Sequence, residues 1–95
     1  MIIEQIALEN GTALGLKFDM QNAPLLVIKA DKGFVMCGYL DIGTSEVFGD
    51  VAVRVRGVSS FEDMLNAQVV DATQSAKELE IVIGMSGKDA LERMF

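Results

Sequence analysis

Ninety-five residues make one domain with a limited core, because a chain this short buries only about 60–65% of the surface its unfolded form exposes. Yet 51% of the residues are hydrophobic and the mean hydropathy is +0.34, above an ordinary globular domain, while apolar runs stop at four residues, as in Leu25–Ile28, too short to span a membrane. A net charge of −6 argues against nucleic acid, and one cysteine with no histidine excludes an intramolecular disulfide and a zinc site built from cysteine and histidine.

In chain order, residues 2–9 and 12–20 read as a hairpin turning at Asn10-Gly11, the strongest short-range hairpin signal. Its second strand alternates with period two: Leu14, Leu16, Phe18 and Met20 on one side, Ala13, Gly15, Lys17 and Asp19 on the other. One side should be buried and one less so. Pro24, without a donor N–H, suits the first position of the next strand.

The stretch Pro24–Asp41 is the densest apolar segment and predicts a central hairpin. Its strands are Leu25–Ala30 and Phe34–Leu40, joined by Asp31-Lys32-Gly33 with Gly33 at positive φ. Residues near the start of the first strand are apolar on both faces, which suits a strand covered on both sides.

A short helix follows through Phe48, stopped by Gly49, and then a strand over Val51–Val55 with its valines on one face. Ser60-Phe61-Glu62-Asp63 has capping spacing, and Phe61, Met64 and Leu65 form one helical stripe. Val69–Thr73 predicts a further strand. Ser75-Ala76-Lys77-Glu78 offers a second capping box, and Ser86-Gly87-Lys88-Asp89 opens a last helix packing through Ala90, Leu91, Met94 and Phe95. The fold class is α+β: N-terminal antiparallel hairpins forming a sheet, followed by short helices and strands. Within the one domain, residues 1–23 are the N-terminal hairpin and 24–95 the main body.

The surplus of apolar residues predicts a homo-oligomer, since large apolar patches are uncommon on soluble monomers. Charge says which half assembles. Residues 1–40 carry four acids against three bases, and residues 41–95 carry ten against five. The nearly neutral N-terminal half is the expected interface. The segment MIIEQIALEN lacks the basic start and long apolar run of a signal peptide, so a cytoplasmic location is expected.

Met36-Cys37-Gly38-Tyr39-Leu40-Asp41, Gly57-Val58, Leu65-Asn66-Ala67 and Gly84-Met85-Ser86-Gly87-Lys88-Asp89-Ala90-Leu91 resemble the YunC-like family of small bacterial and archaeal domains of unknown function. The resemblance runs from Pro24 onward, with Gly33–Gly38 its most specific block. It implies an α+β domain assembling through its N-terminal β region, with a tetramer favoured over a dimer, and it implies no activity. Glu80 stands where the family pattern has glycine after a helical turn, and Asp41–Asp50 is shorter or built differently from some relatives, which argues against Glu46 and Asp50 as shared functional sites.

Cys37 is the candidate nucleophile. A thiol needs a histidine, a cation or a helix N-terminus to ionise near neutral pH, and here only Lys29, Lys32 or Arg54 can supply the cation. Burial for packing is the stronger reading, because free cysteine is among the most buried residue types. Gly38 beside it leaves missing side-chain volume, with close packing the stronger reading. Arg54, paralleled by Arg56, can grip a carboxylate or phosphate, although a solvated strand face or salt bridges to the acids of the second half is the stronger reading for both. Cys37, Gly38 and Arg54 are therefore the candidate ligand-binding residues. Gly84–Lys88 fails the phosphate-loop pattern, with Val82 at the first glycine position and Asp89 in place of serine or threonine. Asp41, Glu46 and Asp50 lack EF-hand spacing. No cofactor and no metal are expected. Three readings follow, in order: a non-catalytic homo-oligomeric module, a small-ligand sensor with a subunit-interface pocket near Cys37, Gly38 and Arg54, and a thiol-dependent enzyme or redox sensor using Cys37.

Overall fold

The computed structural model describes all 95 residues. Six strands make one sheet in strictly sequential order: β1 (Ile2–Ala7), β2 (Thr12–Asp19), β3 (Pro24–Lys29), β4 (Phe34–Met36), β5 (Ala52–Arg54) and β6 (Asp71–Ala72). Every neighbouring pair is antiparallel except β4 with β5. That pair is parallel because α1 (Ile42–Phe48) carries the chain back between them, as a parallel connection requires. Helices α2 (Phe61–Asn66), α3 (Gln74–Glu78) and α4 (Gly87–Glu92) complete an α+β fold. No helix is long and apolar enough to cross a membrane.

The sheet has two unequal faces. Side chains directly opposite in a ladder share a face, so the register places Ala13, Leu26, Ile28, Val35 and Val53 on one side. These are buried and join Met64, Ala76, Ile81, Leu91 and Met94 from the helical half in one core. The opposite, outer face carries Ile3, Leu14, Leu16, Phe18, Leu25, Val27, Phe34, Met36, Ala52 and Arg54. Helix α1 packs against β5 on this side, and Met36 and Ala52 are fully covered there. Over β1, β2 and β3 the outer face has no layer above it.

Alternation in β2 is therefore as the sequence reads, but the burial is the reverse of what apolarity suggests. Ala13 and Gly15 are buried while Leu14 and Phe18 are each 48% exposed and Met20 47%. The small residues face inward because the inner side is already full: a Cβ on Gly15 would lie 2.7 Å from the Phe61 ring.

Local expectations also need correction. The second strand of the central hairpin ends at Met36, and Gly38, Tyr39 and Leu40 lie in a turn. Gly33 is not at positive φ. It is needed for space, because a Cβ there would sit 2.4 Å from the Val51 carbonyl oxygen, where Phe34 N–H donates to that oxygen at 3.1 Å. The third helix is capped by Thr73, whose hydroxyl accepts the Ala76 N–H, two residues before the expected Ser75. The strand near Val69–Thr73 shrinks to Asp71–Ala72. Asp41, Ser60 and Ser86 cap the other helices, and Gly49 ends α1 at φ 75.

Candidate functional site

Cys37 follows β4 at the point where the chain leaves the sheet. Its N–H donates to the Leu26 carbonyl at 3.1 Å, continuing the β3–β4 ladder. The reciprocal bond, Leu26 N–H to the Cys37 carbonyl, is absent, because that carbonyl has turned to accept from Leu40 N–H at 3.3 Å. The thiol takes its place: Cys37 Sγ accepts the Leu26 N–H at 3.2 Å. Leu26 is fully buried, so an unpaired amide there would be costly. Cysteine at this position thus replaces a lost carbonyl acceptor at a strand end. Cys37 is 4% exposed, within the inner core.

Beside it lies an open recess of about 300 Å³ lined by Ala23, Pro24, Cys37, Gly38, Tyr39, Gly57 and Val58. Side-chain volume is missing at two of these positions, since a Cβ on Gly38 or Gly57 would meet nothing within 4 Å. Cys37 and Gly38 are therefore brought together as the sequence suggests. Tyr39 is half exposed at the rim and does not share a strand face with Cys37, because the strand has already ended.

Arg54 is elsewhere. It points to the outer face through its register with Met36, and its guanidinium is held by Asp71, with Arg54 Nε donating to Asp71 Oδ2 at 2.8 Å. It does not line the recess. Asp41 is close enough to feel this charge, but the larger effects on its carboxyl are local. The Thr44 hydroxyl donates at 2.8 Å and the Gly43 N–H at 3.0 Å; together with Arg54 they hold its pKa below the ordinary aspartate value. Arg56 is exposed beyond the end of β5.

Two of the remaining acidic residues make architectural contacts, one through its side chain and one through its backbone. Glu46 accepts the Gln74 N–H at 2.9 Å and so ties α1 to the start of α3. Asp50 contributes its backbone carbonyl to the Thr73 hydroxyl at 2.7 Å. Gly84–Lys88 forms a capped helix start at Ser86. Sequence reasoning allows Arg54 a salt bridge to an acid of the second half but does not single out Asp71, whose 17-residue separation leaves no local signal. It missed the Glu92 carboxylate, which accepts the N–H groups of Glu9 and Asn10 at 2.9 Å each.

Cys37, Gly38 and the helix start at Ser86 all lie within residues 36–94, the segment that matches the model of a domain of unknown function, DUF1805. The chain belongs to this family. A relative, the uncharacterized protein YunC of Bacillus subtilis (strain 168), is 34% identical over 87 residues, spanning 87% of this chain and 84% of its own. The crystal structure of a protein of unknown function from Thermoplasma acidophilum superposes with a TM-score of 0.94 at 41% identity, covering 99% of this chain and 92% of that one. Glu80 adopts the left-handed conformation expected of a residue that stands in for glycine after a helical turn. It is the non-glycine residue at positive φ, 64°, directly after α3 and its cap Leu79, where glycine would avoid a cost of about 1 kcal/mol.

Proposed function

We propose that this DUF1805 chain is a non-catalytic homo-oligomeric module, assembled through the outer face of β1, β2 and β3. One observation carries the reading: on that face Ile3 is 60% exposed, Leu14 and Phe18 48% and Met20 47%, with Leu16, Leu25 and Val27 half-buried between them. Contiguous apolar surface of this kind marks an interaction site. A second copy is the occupant that fits, because the strands bearing the face belong to the nearly neutral half. Two such faces approach without the repulsion that a net charge of −6 would otherwise impose. The tetramer is the favoured assembly, and a buried free thiol suits the reducing cytoplasm.

Light scattering on the purified protein at micromolar concentration should give a multiple of the 10.3 kDa chain mass, and a monodisperse monomer would overturn the reading. Leu14→Glu with Phe18→Lys should dissociate the assembly while leaving the far-ultraviolet circular dichroism intact, since both side chains are half exposed in the single chain.

The recess at Cys37 and Gly38 supports a second reading, a binding site for a small, largely apolar ligand near the assembled sheet. The absence of any charged lining residue and the commitment of Arg54 to Asp71 set the ligand's chemistry as uncharged. Native mass spectrometry of the purified protein would show retained mass. A Gly38→Leu variant, with its new side chain filling the recess, should lose it.

A further inference from the structure

Asn10 and Gly11 turn the first hairpin, and the turn is fastened from outside. Within it, Leu8 N–H donates to the Gly11 carbonyl at 2.9 Å, while the Gly11 N–H makes no hydrogen bond. The other contacts come from α4. The Glu92 carboxylate accepts the Glu9 and Asn10 N–H groups at 2.9 Å each, and Asn10 Nδ2 donates to the Glu92 carbonyl at 3.0 Å. The Phe95 ring lies against Gly11, where a Cβ would sit 2.5 Å from it. Asn10 is exposed, and an open cavity of about 350 Å³ beside it admits water.

We propose that Asn10 is a deamidation site, and that its conversion to a carboxylate unfastens the hairpin from α4 without return. The Gly11 amide is the nucleophile. It has no hydrogen-bond partner to give up, and glycine carries no Cβ to shield its nitrogen. Deprotonated, that nitrogen attacks Asn10 Cγ. The new N–Cγ bond closes a succinimide as the Cγ–Nδ2 bond breaks, and Nδ2 leaves as ammonia with the proton the amide gave up. Water then opens the ring. Cleavage of the N–Cγ bond gives aspartate, and cleavage of the bond from nitrogen to the Asn10 backbone carbonyl carbon gives isoaspartate.

Glu92 governs both the rate and the consequence. Nδ2 must leave the Glu92 carbonyl before it can depart as ammonia, so the fastened turn reacts slowly and an opened one fast. The product carboxylate then sets an acceptor where a donor stood, facing the Glu92 carbonyl and beside the Glu92 carboxylate. Two acceptors share no hydrogen bond. Glu9 and Asp89 add to the negative charge there, against Lys88 and Arg93. Both cations are exposed, so pairing with them returns little. Isoaspartate also routes the main chain through the side-chain methylene and lengthens the turn.

Two other asparagines serve as internal controls. Asn22 is exposed and the Ala23 N–H after it is equally unbonded, but Ala23 carries a Cβ. Asn66 is exposed too, and the Ala67 N–H after it is committed to the Asp63 carbonyl at 2.8 Å. The purified chain is incubated at mildly alkaline pH and its peptides are mapped by mass spectrometry. Aspartate and isoaspartate should accumulate at position 10 several-fold faster than at position 22, with position 66 slowest. Glu92→Ala takes the carboxylate from the turn and should speed position 10 several-fold while leaving position 22 unchanged. Equal rates at positions 10 and 22 in the wild type would overturn the site. An unchanged rate at position 10 in Glu92→Ala would overturn its control by the α4 contact.

The consequence has its own arm. Asn10→Asp is compared with Asn10→Ala, which loses the same donor without adding charge. At neutral pH the aspartate variant should show several-fold faster hydrogen exchange at the Glu9 amide and at the Lys32 amide, which donates to the Met94 carbonyl at 2.7 Å. The buried Leu26 amide should stay protected in both, as evidence that the fold is retained. Equal exchange in the two variants would overturn the unfastening.

Discussion

Cys37 shows how a reactive residue type can be held for its acceptor rather than its nucleophilicity. A thiol sulfur is a weak acceptor, but it lies at the spot where the strand's own carbonyl has turned away toward Leu40. Removing it strands the buried Leu26 N–H, so Cys37→Ala should cost about 1–3 kcal/mol, read from the urea midpoint. Cys37→Ser keeps an acceptor and should lose less. Hydrogen exchange at the Leu26 amide separates this role from simple loss of packing: it should accelerate in the alanine variant and stay protected in the serine one. None of this is visible in the residues alone. Cysteine at a strand end reads as a packed thiol or a nucleophile, and the third role depends on which way one carbonyl turns.

At the scale of elements, the helices are six or seven residues or fewer, too short to be stable by themselves, and their caps carry much of the load. Two caps involve carboxylates with lowered pKa values. Asp63 is held below 3.8 first by the Ser59 N–H, then by the Ser59 hydroxyl; Asp41 is held down first by the Thr44 hydroxyl. A depressed carboxylate contributes stability that is present above its unfolded pKa and lost as pH falls through its folded one. The urea midpoint should therefore drop from about pH 4 downward. In the double variant Asp41→Asn/Asp63→Asn the midpoint should be lower at pH 7 and less steep across that acid window.

Capping residues and period-two strands were legible in the sequence because they are short-range. The reversed burial of β2 was not, since it depends on the Phe61 ring, contributed from 46 residues away, occupying the space over Gly15. Gly33 was misassigned for the same reason: the atom that excludes a side chain there belongs to Val51.

At the scale of the whole molecule, the sequence speaks through composition. Surplus apolar content and an uneven charge distribution pointed to the N-terminal half, and that half bears the uncovered outer face. The sheet is held to the helical half by a clamp at the far end of the chain. Glu92 accepts the Glu9 and Asn10 N–H groups, Asn10 Nδ2 donates to the Glu92 carbonyl at 3.0 Å, and Lys32 N–H donates to the Met94 carbonyl at 2.7 Å. Phe95 lies against Gly11, where a Cβ would be 2.5 Å from its ring. Glu92→Ala removes an acceptor shared by two exposed amides, so it should lower stability by about 1 kcal/mol and speed exchange at the Glu9 and Asn10 amides while that of Leu26 is unchanged.

That clamp has a consequence in time. A ribosome makes the first hairpin early and the residues that fasten it last, at roughly 5–20 residues per second. For several seconds β1, β2 and β3 exist as a sticky, edge-open ribbon with no helical half behind them. Neighbouring nascent chains on one messenger present the same ribbon. If copies assemble through that outer face as proposed, pairing between such chains begins before either has finished.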